Sequence, residues 1–101
     1  MTIQTNPAID ADTIHKALAN PFRREVLAWL KTSNAAFAKE RASFRDGVPA
    51  SAVHARSGLS QSTVSAHVAT LIDAGLVVPT RVGQWTLLSR NEEVIRAFAR
   101  H

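Results

Sequence analysis

Five polar residues stand together at the head of one apolar-striped segment: Gln61, Ser62, Thr63, Ser65 and His67. Their side chains are short or planar, and they donate and accept hydrogen bonds to base edges and phosphates. Glutamine pairs bidentately with adenine, while serine serves bases and phosphate oxygens alike. Val64, Val68, Leu71 and Ile72 recur among them at helical spacing, which predicts a helix over about 61–74 whose polar head is free of the core. Ser60 caps that helix, and with Thr63 it sits where backbone amides and the helix dipole favour a phosphate. Farther along, Arg81 and Gln84 bound a turn around Gly83, where a long cation reaches phosphate or the minor groove. The bland alternative is a solvated helix face beside an exposed hairpin. The glycine turn before the helix and the hairpin after it favour DNA contact instead.

Such residues need a scaffold that offers one helix by its N-terminal end. Asp10 or Asp12 caps a first helix running to about Ala19, with Ile14 and Leu18 on one face. Asn20 and Pro21 stop that helix and start a second, over about 21–32, with Phe22, Val26, Leu27 and Leu30 as its stripe. Residues 33–47 read as a short helix or an ordered loop ending at Asp46-Gly47. Pro49 begins a third helix, over about 49–57, which Gly58 breaks. Gly75 ends the helix that follows. Two strand-like runs, Leu76–Thr80 and Gln84–Ser89, then form a hairpin, with Pro79 suited to an edge. Asn91 caps a last helix with Val94, Ile95 and Phe98 on its apolar face and Glu92 and Glu93 matching its dipole. The expected fold is mainly α with a small β-hairpin, a winged helix-turn-helix of about five helices plus a two-stranded wing. Residues 1–9 read as a flexible tail and 10–101 as one domain.

The bulk properties agree with this and exclude other classes. A length of 101 residues suits one domain, and 46% hydrophobic residues suit a folded chain rather than a disordered one. A formal charge of +4 and an isoelectric point near 10.7 favour polyanionic partners. With no cysteine, disulfides, thiolate zinc sites and thiol redox sensing are excluded. No apolar run approaches the ~20 residues that span a bilayer, and MTIQTNPAID lacks the features of a signal peptide, so a cytoplasmic protein is expected. No spacing matches a nucleophile elbow, a phosphate loop or a carboxylate pair. Neither an enzyme nor a cofactor is expected.

Three stretches, in this order, resemble the ArsR family of bacterial winged-helix repressors: LANPFRREVLAWL (Leu18–Leu30), GLSQSTVSAHVATLIDAGLV (Gly58–Val77) and RVGQW (Arg81–Trp85), the last followed by Arg90-Asn91. The resemblance extends from about residue 14 to 98. It implies a homodimer that represses a promoter through a palindromic operator in double-stranded DNA and releases it when a small-molecule effector binds. It also implies a dimer interface on the first and last helices, which here carry Ile14, Leu18, Val94, Ile95 and Phe98. Where metal-sensing members hold a Cys-x-Cys pair, this chain reads VPASAV, and Leu88-Ser89-Arg90 replaces the other ligand motif, so no metal site is expected. Residues 34–46 look like an insertion. Ala66 stands where many members carry a long basic residue, which shifts weight to Gln61 and the wing.

The remaining candidates carry two readings each. Trp29, Phe37 and Phe44 line an apolar pocket for an organic effector, or they cap the core where the insertion crosses it. His54 replaces a small residue and is either structural or a pH switch. Trp85 reads as packing. The alternative for the whole chain is a winged helix that binds another protein without reading DNA.

Overall fold

Four of the six α-helices among the described residues begin at a residue whose side chain closes the first turn. In the computed structural model, which describes residues 8–32 and 34–101, Asp10 accepts hydrogen bonds from the Thr13 backbone N–H (3.1 Å) and hydroxyl (2.8 Å). These bonds hold the Asp10 carboxyl below its ordinary value. Asn20 caps α2 through the Arg23 N–H, Ser60 caps α5 through the Thr63 N–H, and Asn91 caps α6 through the Val94 N–H. Among the described residues the order is α1 (Ala11–Leu18), α2 (Pro21–Leu30), a 3-10 turn (Ala35–Phe37), α3 (Ala38–Ser43), β1 (Val48–Pro49), α4 (Ala50–Ser57), α5 (Gln61–Asp73), β2 (Val77–Val82), β3 (Trp85–Arg90) and α6 (Glu92–Ala99). No helix among these residues is long and apolar enough to cross a membrane. The tail expected over residues 1–9 lies outside the described residues up to position 7, and Ile9 packs against the core rather than trailing from it.

The apolar stripes meet in one core built from Ile14, Val26, Val53, Leu71, Leu76 and Leu88. Val64, Val68 and Leu71 anchor α5 there, whereas Ile72 is only half-buried. Burial of this kind contributes about 1.5–3 kcal/mol per large side chain.

The sheet has three antiparallel strands in the order β1-β3-β2, one more than the hairpin expected from the sequence. The additional strand is Val48–Pro49, paired with Leu88 and Leu87. Two residues carry no period, so only the approach of β3 makes them a strand. That approach needs Gly47. Its φ is +140°, and a Cβ there would lie 2.5 Å from the Leu88 carbonyl oxygen. Pro49 accordingly closes β1 and precedes α4 instead of starting the helix. β2 extends two residues past the expected end and β3 is shifted by one, which leaves a two-residue turn at Gly83-Gln84, between the Val82–Trp85 pair. Pro79 lies in β2, an edge strand, where its missing N–H costs no ladder bond.

Two consecutive arginines close the end of α1. Arg23 donates from Nε to the Ala17 carbonyl (2.7 Å) and from Nη2 to that of Lys16 (3.2 Å), and Arg24 donates to that of Leu18 (2.6 Å). These are the terminal carbonyls that a helix leaves without partners. Nη1 of Arg23 reaches Nδ1 of His67 on α5 at 3.1 Å. A guanidinium only donates, so in this contact the His67 nitrogen is the acceptor. One side chain thus ties α1, α2 and α5.

Arg23→Met keeps the stem and removes the donors. It should lower stability by about 1–3 kcal/mol in urea denaturation, and a double-mutant cycle with His67→Ala should give a coupling of about 0.5–1 kcal/mol. Additive losses would separate the two residues. Gly47→Ala should cost about 3 kcal/mol or more because it meets backbone. Gly58→Ala, at φ +70° with nothing within 4 Å of its Cβ, should cost only about 1 kcal/mol. Equal losses at the two glycines would contradict the packing described.

Candidate nucleic-acid interface

The turn before α5 is fixed by its own side chains. Ser57 donates its hydroxyl to the His54 carbonyl (2.7 Å) and accepts the Leu59 N–H (3.0 Å), and Gly58 closes α4 in the left-handed region. Ser60 then donates to the Thr63 hydroxyl (2.8 Å) while capping the helix. The hydroxyls of Ser60 and Thr63 are therefore committed to the cap, but both residues remain exposed. Gln61, Ser62 and Ser65 are also exposed, on the first turns of α5, with Ala66 beside them. The polar head expected from the sequence is thus exposed at these positions.

Gln61 and Ser65, one turn apart, border a groove of about 320 Å³ between α4 and α5. Its opposite wall is formed by Ala50, Ser51 and His54, and Val64 and Val68 line it from α5. His54 is half-buried on this wall. Ser51 was not singled out by the sequence. It sits early in an alanine-rich helix with no stripe to mark a face, and only the packing of α4 beside α5 reveals it. His67 is the member of the expected set that faces elsewhere. Its ring is engaged by Arg23 and lies 5.2 Å from the Phe22 ring, so it positions α5 rather than projecting from it.

The wing also differs from expectation in one position. Arg81 pairs with Thr86 inside the strands, and its guanidinium donates to the Thr86 hydroxyl (3.3 Å); only Gly83 and Gln84 form the turn. Both Arg81 and Gln84 are exposed. Gln84, Trp85 and Thr86 line a smaller hollow with Ala50 and Ser51, and those two residues also line the α4–α5 groove. The polar head of α5, the start of α4 and the turn of the wing therefore border adjoining concavities.

The aromatic trio does not enclose one space. Trp29 meets Phe37 edge to face at 6.2 Å, with Arg56 stacked over both rings, while Phe44 turns away to Trp85 on the wing at 5.3 Å. Phe37 is buried and each ring is satisfied by another, so the capping alternative fits and the effector pocket does not. The helices expected to dimerise also need a correction. Ile14 is fully buried and Val94 nearly so within the single chain, which leaves Leu18, Ile95 and Phe98 as the partly exposed members. Phe98 contacts the His15 ring at 5.0 Å, so α1 and α6 already meet in one chain.

Comparison with known proteins places this geometry. The sequence model of the IclR helix-turn-helix domain matches residues 26–81, from α2 into β2. The uncharacterised HTH-type transcriptional regulator YbzH of Bacillus subtilis (strain 168) is 34% identical over 88 residues, covering 85% of this chain and 88% of that protein. An ArsR-like transcriptional regulator from Rhodococcus sp. RHA1 has the same fold, with a TM-score of 0.69 at 22% identity over 89% of this chain and 73% of the other. The homodimeric winged helix-turn-helix DNA-binding domain of a possible ArsR-family regulator from Mycobacterium bovis superposes with a TM-score of 0.67 at 27% identity, covering 88% and 71%. The ArsR likeness thus survives in the architecture, whereas the matching sequence family is another. This chain belongs to the family of the IclR helix-turn-helix domain and is a winged helix-turn-helix transcriptional regulator.

Proposed function

We propose that the chain works as a homodimeric, ArsR-type repressor that binds an imperfect palindrome in double-stranded DNA. The observation that carries this reading is the exposed polar head of α5, whose opposite face is locked into the core by Val64, Val68 and Leu71. A helix held in this way enters a major groove by its N-terminal end. Gln61 and Ser65 are then the base-reading residues, Ser62 and the capped turn at Ser60 and Thr63 lie on the backbone, and Arg81 and Gln84 extend the contact along the wing. The partly exposed Leu18, Ile95 and Phe98 on α1 and α6 support pairing of two copies, as does the homodimeric state of the Mycobacterium bovis domain. The three sequence motifs and the Rhodococcus fold neighbour support the ArsR-type assignment. This reading places the protein in the cytoplasm with no catalytic role.

A wing that docks on another protein is a second reading, favoured by Val78, Val82 and Trp85, which are 40–47% exposed. The two readings separate in solution. Selection from random duplexes should enrich a palindrome with half-sites about 34 Å apart. Gln61→Ala should relax one base preference at a cost of about 1–3 kcal/mol. Arg81→Ala should weaken all duplexes alike and reduce the salt slope by about 1. No enriched palindrome, or a Gln61→Ala/Arg81→Ala variant that binds unchanged, would overturn the DNA-reading proposal.

A further inference from the structure

A second cavity lies at the base of the wing and has a different character. Its volume is about 420 Å³, and its walls bring together Arg41 and Arg45 from the insertion, Arg90 from the end of β3, and the hydroxyls of Thr32, Thr80 and Ser89. The sequence spreads these residues over 59 positions, from 32 to 90. Two acids, Asp46 and Glu92, share the rim.

The three arginines are not equivalent. Arg90 is engaged at all three nitrogens: Nε and Nη2 hold both oxygens of Glu92 at 2.9 and 3.2 Å, and Nη1 donates to the Leu27 carbonyl at 3.2 Å. That pair is neutral and braces the wall. Arg41 commits Nη2 to the Leu30 carbonyl, but its Nε is buried without a hydrogen-bond partner. It is the one such side-chain atom identified among the described residues. Being closed to solvent, that nitrogen does not donate into the cavity, which Arg41 lines with the rest of its side chain. Arg45 is exposed, and no ion pair shown among the described residues joins Asp46 to Arg41 or Arg45. Arg41, with one bond to the Leu30 carbonyl, and the exposed Arg45 therefore line the cavity with Asp46 as the remaining acid, in a space larger than a simple ion.

We propose that this cavity binds a small oxyanionic molecule, held through a carboxylate or phosphate group. Guanidinium forks match the oxygens of either group, and charge-assisted bonds of this kind are the strong ones. Arg41 and Arg45 are the anion's principal donors, and the Thr32 and Thr80 hydroxyls complete its shell. The remaining volume accommodates a small carbon skeleton, since ligand pockets of this size are usual. The site explains why the insertion is basic at Arg41 and Arg45 and why it folds back onto the end of α2 and the sheet. It is independent of DNA reading, and its test contains no DNA in the first arm.

The probes are inorganic phosphate and citrate, titrated calorimetrically into the full chain at constant ionic strength, with chloride as the reference. At least one should bind saturably and raise the melting temperature, and the stronger of the two identifies the anionic group. Arg45→Gln, a surface change that leaves folding intact, should weaken that binding about tenfold, the worth of one charge-assisted bond. Arg41→Gln should do the same, while Lys39→Gln, an equal charge change on α3 outside the cavity, should not. The proposal is overturned if neither anion saturates, or if Lys39→Gln weakens binding as much as Arg45→Gln. It is also overturned if duplex DNA displaces the bound anion competitively, because the cavity would then belong to a phosphate footprint.

Discussion

The guanidinium of Arg23 is the constraint on which the orientation of the candidate interface depends. It fills two terminal carbonyls of α1, stands on the first turn of α2, and holds the imidazole of His67 on α5. Without it, the Ala17 carbonyl at the end of α1 would lose its side-chain donor, while that of Lys16 would keep the Ala19 N–H, and α5 would lose its polar tie to α2. Apolar packing is non-directional. It fixes the depth of α5 in the core through Val64, Val68 and Leu71, but leaves rotation and tilt softer. A directional, charge-assisted bond at one flank of the stripe removes that freedom. The angle at which the polar head is presented therefore follows from an interaction made about two turns away on the same helix.

The surface around that head is built from what the core does not use. On α5 the buried stripe leaves Gln61, Ser62 and Ser65 outward, and their neighbours are small. Ala50, Ser51, Ser65 and Ala69 are small, and they share the concavity between α4 and α5 with His54, Gln61, Val64, Val68 and Ile72. Ala66 offers no charge. In the proposed DNA complex, affinity for the polyanion comes from the overall charge of +4 together with Arg81 on the wing. Specificity and affinity are then divided between separate elements, which is the usual division between base and phosphate contacts.

The insertion joins those elements. Phe37 goes under Trp29 of α2, with Arg56 of α4 over both rings, while Phe44 reaches Trp85 of β3. Between them α3 carries Arg41 to the end of α2, and Gly47 admits β1 against β3. A segment that looked like an addition to a smaller fold therefore connects α2 to the wing by two ring contacts, one hydrogen bond and a short strand. Any change in that segment is felt at both ends, because both contacts are packed rather than tethered.

Much of the fold was legible because its determinants are local. Caps at Asp10, Asn20, Ser60 and Asn91 act within three residues, and apolar stripes act within a turn or two, so the sequence by itself determined the main helices, the hairpin and the exposed head of α5. Glycines at 58, 75 and 83 marked their breaks for the same reason. Tertiary structure alone decided the rest. Val48–Pro49 became a strand because β3 passes beside it, and His67 left the candidate site because Arg23, forty-four positions away, reaches its ring. Ile14 and Val94 are buried within one chain, Phe37 and Phe44 part company, and Arg41, Arg45 and Arg90 converge, all through contacts between distant segments. The pattern of a helix states which of its faces is apolar. Which neighbour covers that face, and which polar groups are used in holding it, depends on the packing of the whole chain.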